Sequence, residues 1–342
     1  MTRTQPQCAL SIVIVTHRRV GLLAQCLASV EAAWVPDDVE ILVVVNGPDA
    51  ATRELLDGIA SKDARYTVLA IAATSPAAAR NAAVEHARGE VVYFLDDDVT
   101  IVPDLFTRVL RLFAEHADVG VVGGPNLTPP GSSRFEQCTG RVLESPFGSG
   151  AVRRRYTRTG EIGPADDRSL ILCNLAIRRR AFADIEGPFP EHVVCNEENI
   201  LLAGLAARGV RMLHDPNLVV YHARRATLTG FCQQIFRYGR GRWQNTVAVP
   251  GSLSPTFLIP TVFLLYVLSV PLVCRPVYLV PLALYGVGLV GFSLVEAWRA
   301  RDPATLVLFL ILYPACHLSY PAGFLAELTR SLRDRVAGAR AG

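Results

Sequence analysis

The amino-acid sequence predicts an α/β domain, a mostly parallel sheet with helices on both faces, followed by an apolar helical region. Three observations carry that expectation. Runs dominated by β-branched residues, Leu10–Val15 and Glu40–Val45, have the character of strands buried on both faces. Segments with apolar residues at helical spacing separate them, and strand–helix alternation implies parallel pairing. From residue 257 onward, long stretches carry no charge.

Taken in order, Leu10–Val15 is the first strand, closed by Thr16-His17-Arg18-Arg19. Leu22, Leu23, Cys26, Leu27 and Val30 then recur at helical spacing. Glu40–Val45 is the second strand and ends at the turn signal Asn46-Gly47-Pro48-Asp49. A helix is expected from about Ala51 to Ile59, a strand at Thr67–Ile71, and an alanine-rich helix from Pro76 to Ala87 with Arg80 and Asn81 near its start. Leu105–Phe113 is a further helix and Val119–Val122 a further strand. Residues 127–170, with the run Arg153-Arg154-Arg155, read as an irregular excursion covering a site, the arginines being either functional or a solvated loop. Cys173-Asn174 is expected to precede a basic helix carrying Arg178, Arg179 and Arg180. Glu197-Glu198 opens a helix that Gly209 ends, and Leu218–Tyr221 is the last strand, closed by His222.

The chemistry concentrates at Val91–Val99, where an apolar and aromatic strand runs into Asp96-Asp97-Asp98. Unpaired buried carboxylates are costly. Clustered hard oxygens suit a divalent cation such as Mg2+ or Mn2+, which usually keeps ligand positions for phosphate oxygens. Ligands of open α/β sheets bind at strand ends, so the triplet reads as a metal–diphosphate site. A solvated turn or helix cap is the alternative use of the same residues. For Glu197-Glu198 the alternative is favourable placement at a helix N-terminus.

Composition narrows the class. The net charge of +3 over 342 residues gives no argument for nucleic acid. Eight cysteines form no CxxC pair, so neither a zinc site nor a disulfide framework is suggested. The apolar run near the N-terminus is too short for a signal peptide, and the first domain is expected to stay in the cytoplasm. Residues 227–256 mix aromatic and basic side chains, including Phe231, Arg237, Arg240, Arg242 and Trp243, as an interfacial segment does. Phe257–Cys274 and Pro276–Val295 hold 18 and 20 uncharged residues, each reaching ~27–30 Å as a helix, enough to cross a bilayer core. Ala304–Ala326 is uncharged too, but Pro314 and Pro321 suggest a broken or re-entrant third segment, placing the basic tail at residues 330–342 in the cytoplasm.

Together these motifs resemble family 2 glycosyltransferases of the GT-A fold, a Rossmann-like architecture, across residues 10–222. The matches are Ser11–Arg19, Glu40–Gly47, Ala79-Arg80-Asn81-Ala82 before Gly89-Glu90, the DxD-type triplet, and the acidic pair before Gly209. The C-terminal segments resemble those of membrane-bound members. The resemblance implies inverting transfer from a nucleotide-diphosphate sugar to a hydroxyl of a lipid-linked or cell-envelope glycan, with a divalent cation, at the inner membrane. It implies Glu198 as base beside Glu197, with Thr16, Arg19, Asn46, Arg80, Asp96 and Asp97 on the donor. It implies Asp98, Asp96 and His222 at the metal, though a strand-end histidine also serves in packing. Asn174, Gln234, Arg237 and Tyr238 are implied on the acceptor side, the last three resembling a QxxRW motif with Tyr in place of Trp; simple interfacial anchoring is the alternative. Departures are Val45-Asn46 where an acid usually grips the base, His17-Arg18 where Tyr-Asn is usual, and Glu198 for Asp. The competing readings are a nucleotidyltransferase, which would usually show a Gly-rich basic loop after the first strand, and a membrane-anchored sugar-nucleotide binder.

Overall fold

The computed structural model of the protein describes residues 8–34, 38–273 and 275–341, with side chains described as far as Val336 and Ala337. The span boundary expected at Cys274, the polar residues 1–7 and the side chain of Arg340 lie outside the described residues. The elements in chain order are β1 (Cys8–Thr16), α1 (Val20–Ala32), β2 (Val39–Asn46), α2 (Ala50–Ala60), β3 (Tyr66–Ile71) and α3 (Pro76–His86). Next come β4 (Gly89–Asp96), β5 (Val99–Ile101), α4 (Leu105–Glu115), β6 (Val119–Gly123), β7 (Asn126–Leu127), α5 (Arg134–Glu144) and α6 (Pro146–Ser149). Then follow β8 (Gly163–Pro164), β9 (Asn174–Arg178), α7 (Glu197–Ala207), β10 (Arg211–His214) and β11 (Val220–His222). The last four are α8 (Leu228–Ala248), α9 (Pro255–Ser269), α10 (Val280–Ala300) and α11 (Thr305–Ala341). The chain divides into two compact units.

The first unit takes the described residues up to Pro129 with Arg154–His192 and Glu197–Ala223. Its main sheet has the order β3-β2-β1-β4-β9-β6-β10-β8, and a small second sheet has β5-β11-β7. β1, β2, β3 and β4 are mutually parallel, as strand–helix alternation predicts, while β9 runs antiparallel between β4 and β6. Successive side chains serve two cores. Val91, Tyr93 and Leu95 pack with Leu23, Leu27, Phe106 and Val109 of α1 and α4. Val92 and Phe94 pack on the other face with Ala79 and Ala83 of α3 and Leu202 and Leu205 of α7. Strands buried on both faces carry apolar residues at every position, which is why the runs read as continuous.

Two expectations fail here. The basic helix expected over Arg178–Arg180 is instead the strand β9, followed by a short 3-10 turn, Arg179–Phe182. Leu175, Ala176 and Ile177 are too short a run to show a period, and the open slot between β4 and β6 decides their conformation. The supposedly irregular stretch 127–170 holds α5, opened by a capping box in which Ser133 and Glu136 satisfy each other's backbone N–H groups. The Ser-x-x-Glu signal was present in the sequence.

The second unit takes Pro130–Arg153, Val193–Asn196 and Arg224–Gly342. Three of its helical stretches, Pro255–Leu272, Pro276–Ala300 and Thr305–Ala337, are long and apolar enough to cross a membrane. The break expected near Pro314–Pro321 is absent, since α11 continues through both prolines. Each proline removes one N–H from the helical ladder, and packing along α8 holds the remainder. The two helices run parallel and meet backbone to backbone. A Cβ on Gly239 would strike the Tyr320 carbonyl, and one on Gly323 would strike the Phe236 carbonyl. Beyond that crossing Arg240 pairs with Glu327 at 2.7 Å and the Trp243 Nε1–H donates to Ser331 at 2.9 Å. His317 on α11 is spent within this unit: Nε2 lies 2.7 Å from the Phe147 carbonyl and Nδ1 3.0 Å from the Tyr285 hydroxyl.

Candidate active site

The carboxyl end of β4 gathers most of the charge singled out in the sequence. Parallel pairing with β1 sets Val15 beside Asp96 and brings Thr16 to the same level. The Thr16 hydroxyl donates to Asp97 at 2.7 Å, and both side chains are fully buried. They turn inward and anchor the strand end. Burial pushes the Asp97 carboxyl up to about 6, against the opposing pull of Arg19 and the Thr16 hydroxyl.

Arg18 takes a left-handed backbone conformation, φ 53°. Such a turn is uncommon for a side-chain-bearing residue. The next residue, Arg19, lies 2.6 Å from Asp97 and 2.9 Å from Asp98. A second guanidinium works alongside. Ser75 caps α3 and Pro76 occupies its first turn. Arg80, one helical turn further on, pairs with Asp96 at 3.0 Å and with Glu197 at 2.5 Å. The small sheet contributes the imidazole, because β11 pairs His222 with Val99. His222 Nε2 then lies 3.1 Å from Asp98 and 3.9 Å from Asp96.

These groups fit a divalent cation. Two carboxylates of one strand end face one imidazole within ligand spacing, and both are ligand types that divalent metal ions take. The Cys173 Sγ, which the sequence did not point to, lies within 4.8 Å of the Asp96 and His222 ligand atoms. No spacing rule links residues 96, 173 and 222; only the pairing of β4 with β9 and of β11 with β5 gathers them.

The acidic pair sits at the start of α7, preceded by Asn196 in a left-handed conformation, φ 60°. Both carboxylates are buried. Burial pushes the Glu198 carboxyl up to about 7; Arg155 opposes the shift, Glu197 reinforces it and Arg80 opposes it. Arg155, the last residue of the 3-10 turn Gly150–Arg155, is itself buried and places Nη1 3.6 Å from Glu198. The solvated-loop reading of the arginine run thus fails for this residue. Three consecutive arginines gave no signal as to which one turns inward.

Three further polar residues are engaged within the fold. Asn46 is committed to backbone: its Nδ2 donates to the Thr74 carbonyl at 2.9 Å and its Oδ1 accepts from the Thr74 N–H at 2.8 Å. Asn174 lies inside the first unit. It is fully buried, accepts from the Tyr93 hydroxyl at 2.5 Å, and donates to the carbonyls of Pro125 and Leu218. His17 Nδ1 lies 2.5 Å from the Asn46 carbonyl, joining the loops after β1 and β2. Gln234, Arg237 and Tyr238 lie on α8 in the second unit, where the Gln234 amide donates to the Tyr238 hydroxyl at 3.0 Å.

Comparison with known proteins identifies the family and the fold. Residues 11–185 match the family model described as glycosyl transferase family 2. The chain is 23% identical to the glycosyltransferase AglE of Haloferax volcanii over 338 residues, covering 97% of this chain and 99% of that protein. It is 29% identical to the putative glycosyltransferase EpsH of Bacillus subtilis over 137 residues, 40% of this chain and 37% of EpsH, so the match spans little more than a third of that relative. Among solved structures, the mannosyltransferase PcManGT of Pyrobaculum calidifontis, in complex with GDP-Man and Mn2+, superimposes with a TM-score of 0.59 at 18% identity, covering 92% of this chain and 88% of that one. At that identity the likeness speaks for a shared GT-A fold.

Proposed function

The chain belongs to glycosyl transferase family 2, a glycosyltransferase with a GT-A-like α/β sheet and C-terminal apolar helices, and from that premise we propose that it moves a sugar from a nucleotide-diphosphate sugar to a hydroxyl of a lipid-linked or cell-envelope glycan with inversion. One observation carries this reading: Asp96, Asp98, His222, Arg19, Arg80 and the pair Glu197–Glu198 converge at the carboxyl end of β4. The Mn2+ and GDP-Man of PcManGT and the UDP of a Staphylococcus aureus TarS structure support a nucleotide donor and a divalent cation here.

In the proposed reaction Asp96, Asp98 and His222 hold the cation. A divalent cation bound there supplies Lewis-acid stabilisation of the diphosphate leaving group. Arg19 and Arg80, paired with Asp96–Asp98, would add charge-assisted hydrogen bonds to the donor phosphates. Glu198 takes the proton of the acceptor hydroxyl as its oxygen bonds to the anomeric carbon. The bond from that carbon to the diphosphate breaks, and its electron pair leaves with the phosphate oxygen. A single displacement from the opposite face inverts the centre and needs one base. Burial gives Glu198 the proton affinity a base needs near neutrality.

The membrane side of the proposal rests on the second unit. The Pro255–Leu272 and Pro276–Ala300 segments are only 11% and 6% buried, whereas a third of the most apolar stretch of Thr305–Ala337 is covered by protein. We assign the first two as a hairpin through the inner membrane, with the glycosyltransferase domain on the cytoplasmic side. The arginines of α8 keep to the cytoplasmic surface by the positive-inside rule. Because α11 runs parallel to α8 and joins it at Arg240–Glu327 and Trp243–Ser331, its basic end stays on that side too. A reporter fused to the C-terminus should be active in the cytoplasm; a signal confined to the periplasm would overturn the assignment.

The chemistry is tested by incubating the purified protein with a panel of nucleotide sugars and candidate acceptors, with mass spectrometry of the products. One donor should be consumed. Glu198→Gln should slow transfer by ~10²–10⁴-fold while leaving donor binding in place. Normal turnover by Glu198→Gln with an inactive Glu197→Gln would move the base to Glu197.

A further inference from the structure

We propose that Arg155 is a positioning residue for Glu198, holding that carboxylate in its ionised, proton-accepting form and in one fixed direction. The inference rests on Glu198 being the base and adds a second residue to that reading.

The geometry is that of a charge held in place by contacts other than its target. The Arg155 Nε donates to the Arg168 carbonyl at 3.0 Å. Its Nη2 donates to the Asp167 carbonyl and, at 2.6 Å, to the Asn199 side-chain oxygen. These acceptors lie on the turn before β9 and on α7, one residue beyond Glu198. They leave Nη1 directed at Glu198 Oε1 across 3.6 Å. That separation exceeds hydrogen-bond range. The guanidinium therefore acts on Glu198 by charge and takes up none of its lone pairs with a hydrogen bond.

The other charged groups facing Glu198 explain why such a partner is needed. Glu197 lies beside it on α7 and opposes its ionisation; Arg80 faces it from α3 but is paired with Glu197 at 2.5 Å and Asp96 at 3.0 Å. Arg80 is thus shared among carboxylates, whereas Arg155 pairs with no carboxylate but Glu198 among the described residues. A buried base beside another acid would otherwise stay protonated at neutral pH and be useless for proton removal. Arginine suits the position because it stays charged when buried, and its planar fork can satisfy several acceptors at once.

The test is the pH profile of kcat/KM for the full-length protein, compared with Arg155→Gln and Arg155→Lys, with Glu198→Gln as reference. Wild-type activity should rise through neutral pH as Glu198 ionises. In Arg155→Gln the rising limb should move ~1–3 pH units to the alkaline side, with much of the rate restored above it. Arg155→Lys, whose ammonium cannot reach all three anchoring oxygens, should shift the limb by an intermediate amount. Should Arg155→Gln fail to fold, judged by circular dichroism and thermal melting, the lysine variant carries the test. Loss of rate by one factor at every pH, with the limb unmoved in the folded variants, would reduce Arg155 to a structural residue. A slow Glu198→Gln together with that result overturns this inference alone. A Glu198→Gln variant of normal rate overturns the assignment of the base beneath it.

Discussion

The acidic cluster of the first unit and the buried carboxylates of the second handle charge in opposite ways. At the end of β4 and the start of α7, five carboxylates (Asp96, Asp97, Asp98, Glu197 and Glu198) face three guanidinium groups, those of Arg19, Arg80 and Arg155. In the second unit the buried carboxylates of Glu327 and Glu296 are matched. Glu327 accepts from Arg240 at 2.7 Å on one oxygen and from Gln244 at 2.8 Å on the other. Glu296 lies 2.9 Å from Arg299 through one oxygen and 3.7 Å from Arg141 through the other. A matched cluster is complete and serves packing. An acid-rich cluster carries uncompensated negative charge, which is why a cation is proposed there.

The comparison breaks most visibly at Asp98. Asp98→Ala should lower transfer by roughly 10³-fold or more, as several kcal/mol of leaving-group stabilisation vanish. It should also weaken Mn2+ binding measured by electron paramagnetic resonance. Its melting temperature should hold or rise, because one of several like charges is gone. Full activity, or activity unaffected by EDTA, would sink the metal role. Glu327→Ala should do the reverse. Arg240 and Gln244 lose their acceptor, which should destabilise the second unit by about 2 kcal/mol, the full cost of breaking a buried pair being reduced by the partial exposure of Arg240. Mn2+ affinity should stay unchanged, and a fall in it would mean the matched cluster is no purely structural one.

A subtler contrast lies in the pH dependence of stability. Glu198 and Asp97 have folded-state values raised above those of an unfolded chain. A raised value gives stabilisation that is complete below the ordinary carboxylate range and is lost as pH climbs through about 6 to 7. The melting temperature of the wild type should therefore fall between pH 5 and pH 8, these values marking roughly the two sides of that window. Glu198→Gln should fall less, Asp97 keeping part of the effect. A slope identical to wild type would show that Glu198 ionises without cost. The smallest effect belongs outside both clusters. Ser133→Ala removes the cap of α5 and should cost about 1 kcal/mol, which sets the scale of a single lost hydrogen bond in this protein.

Much of the first unit was legible in the chain. Buried parallel strands must be apolar at every position, so β1, β2 and β4 announced themselves, and the acids at the end of β4 stood out because nothing local could neutralise them. The matched family and the solved neighbour agree with the reading of the fold. The order of the motifs along the chain sufficed for it, since each motif closes a strand or opens a helix of a repeating unit. What sequence alone could not decide was which polar side chains turn inward. Thr16, Asn46 and Asn174 have the composition of ligand-binding residues, yet their hydrogen bonds go to Asp97, Thr74, Tyr93, Pro125 and Leu218. Arg155 has the composition of a solvated loop, yet it meets Glu198. Helix α11 survives two prolines because α8 lies against it at Gly239 and Gly323. Local sequence determines periodicity and chain-end chemistry, whereas the partner of a buried polar group comes from distant segments, and only the assembled sheet and helix pairs brought those segments together.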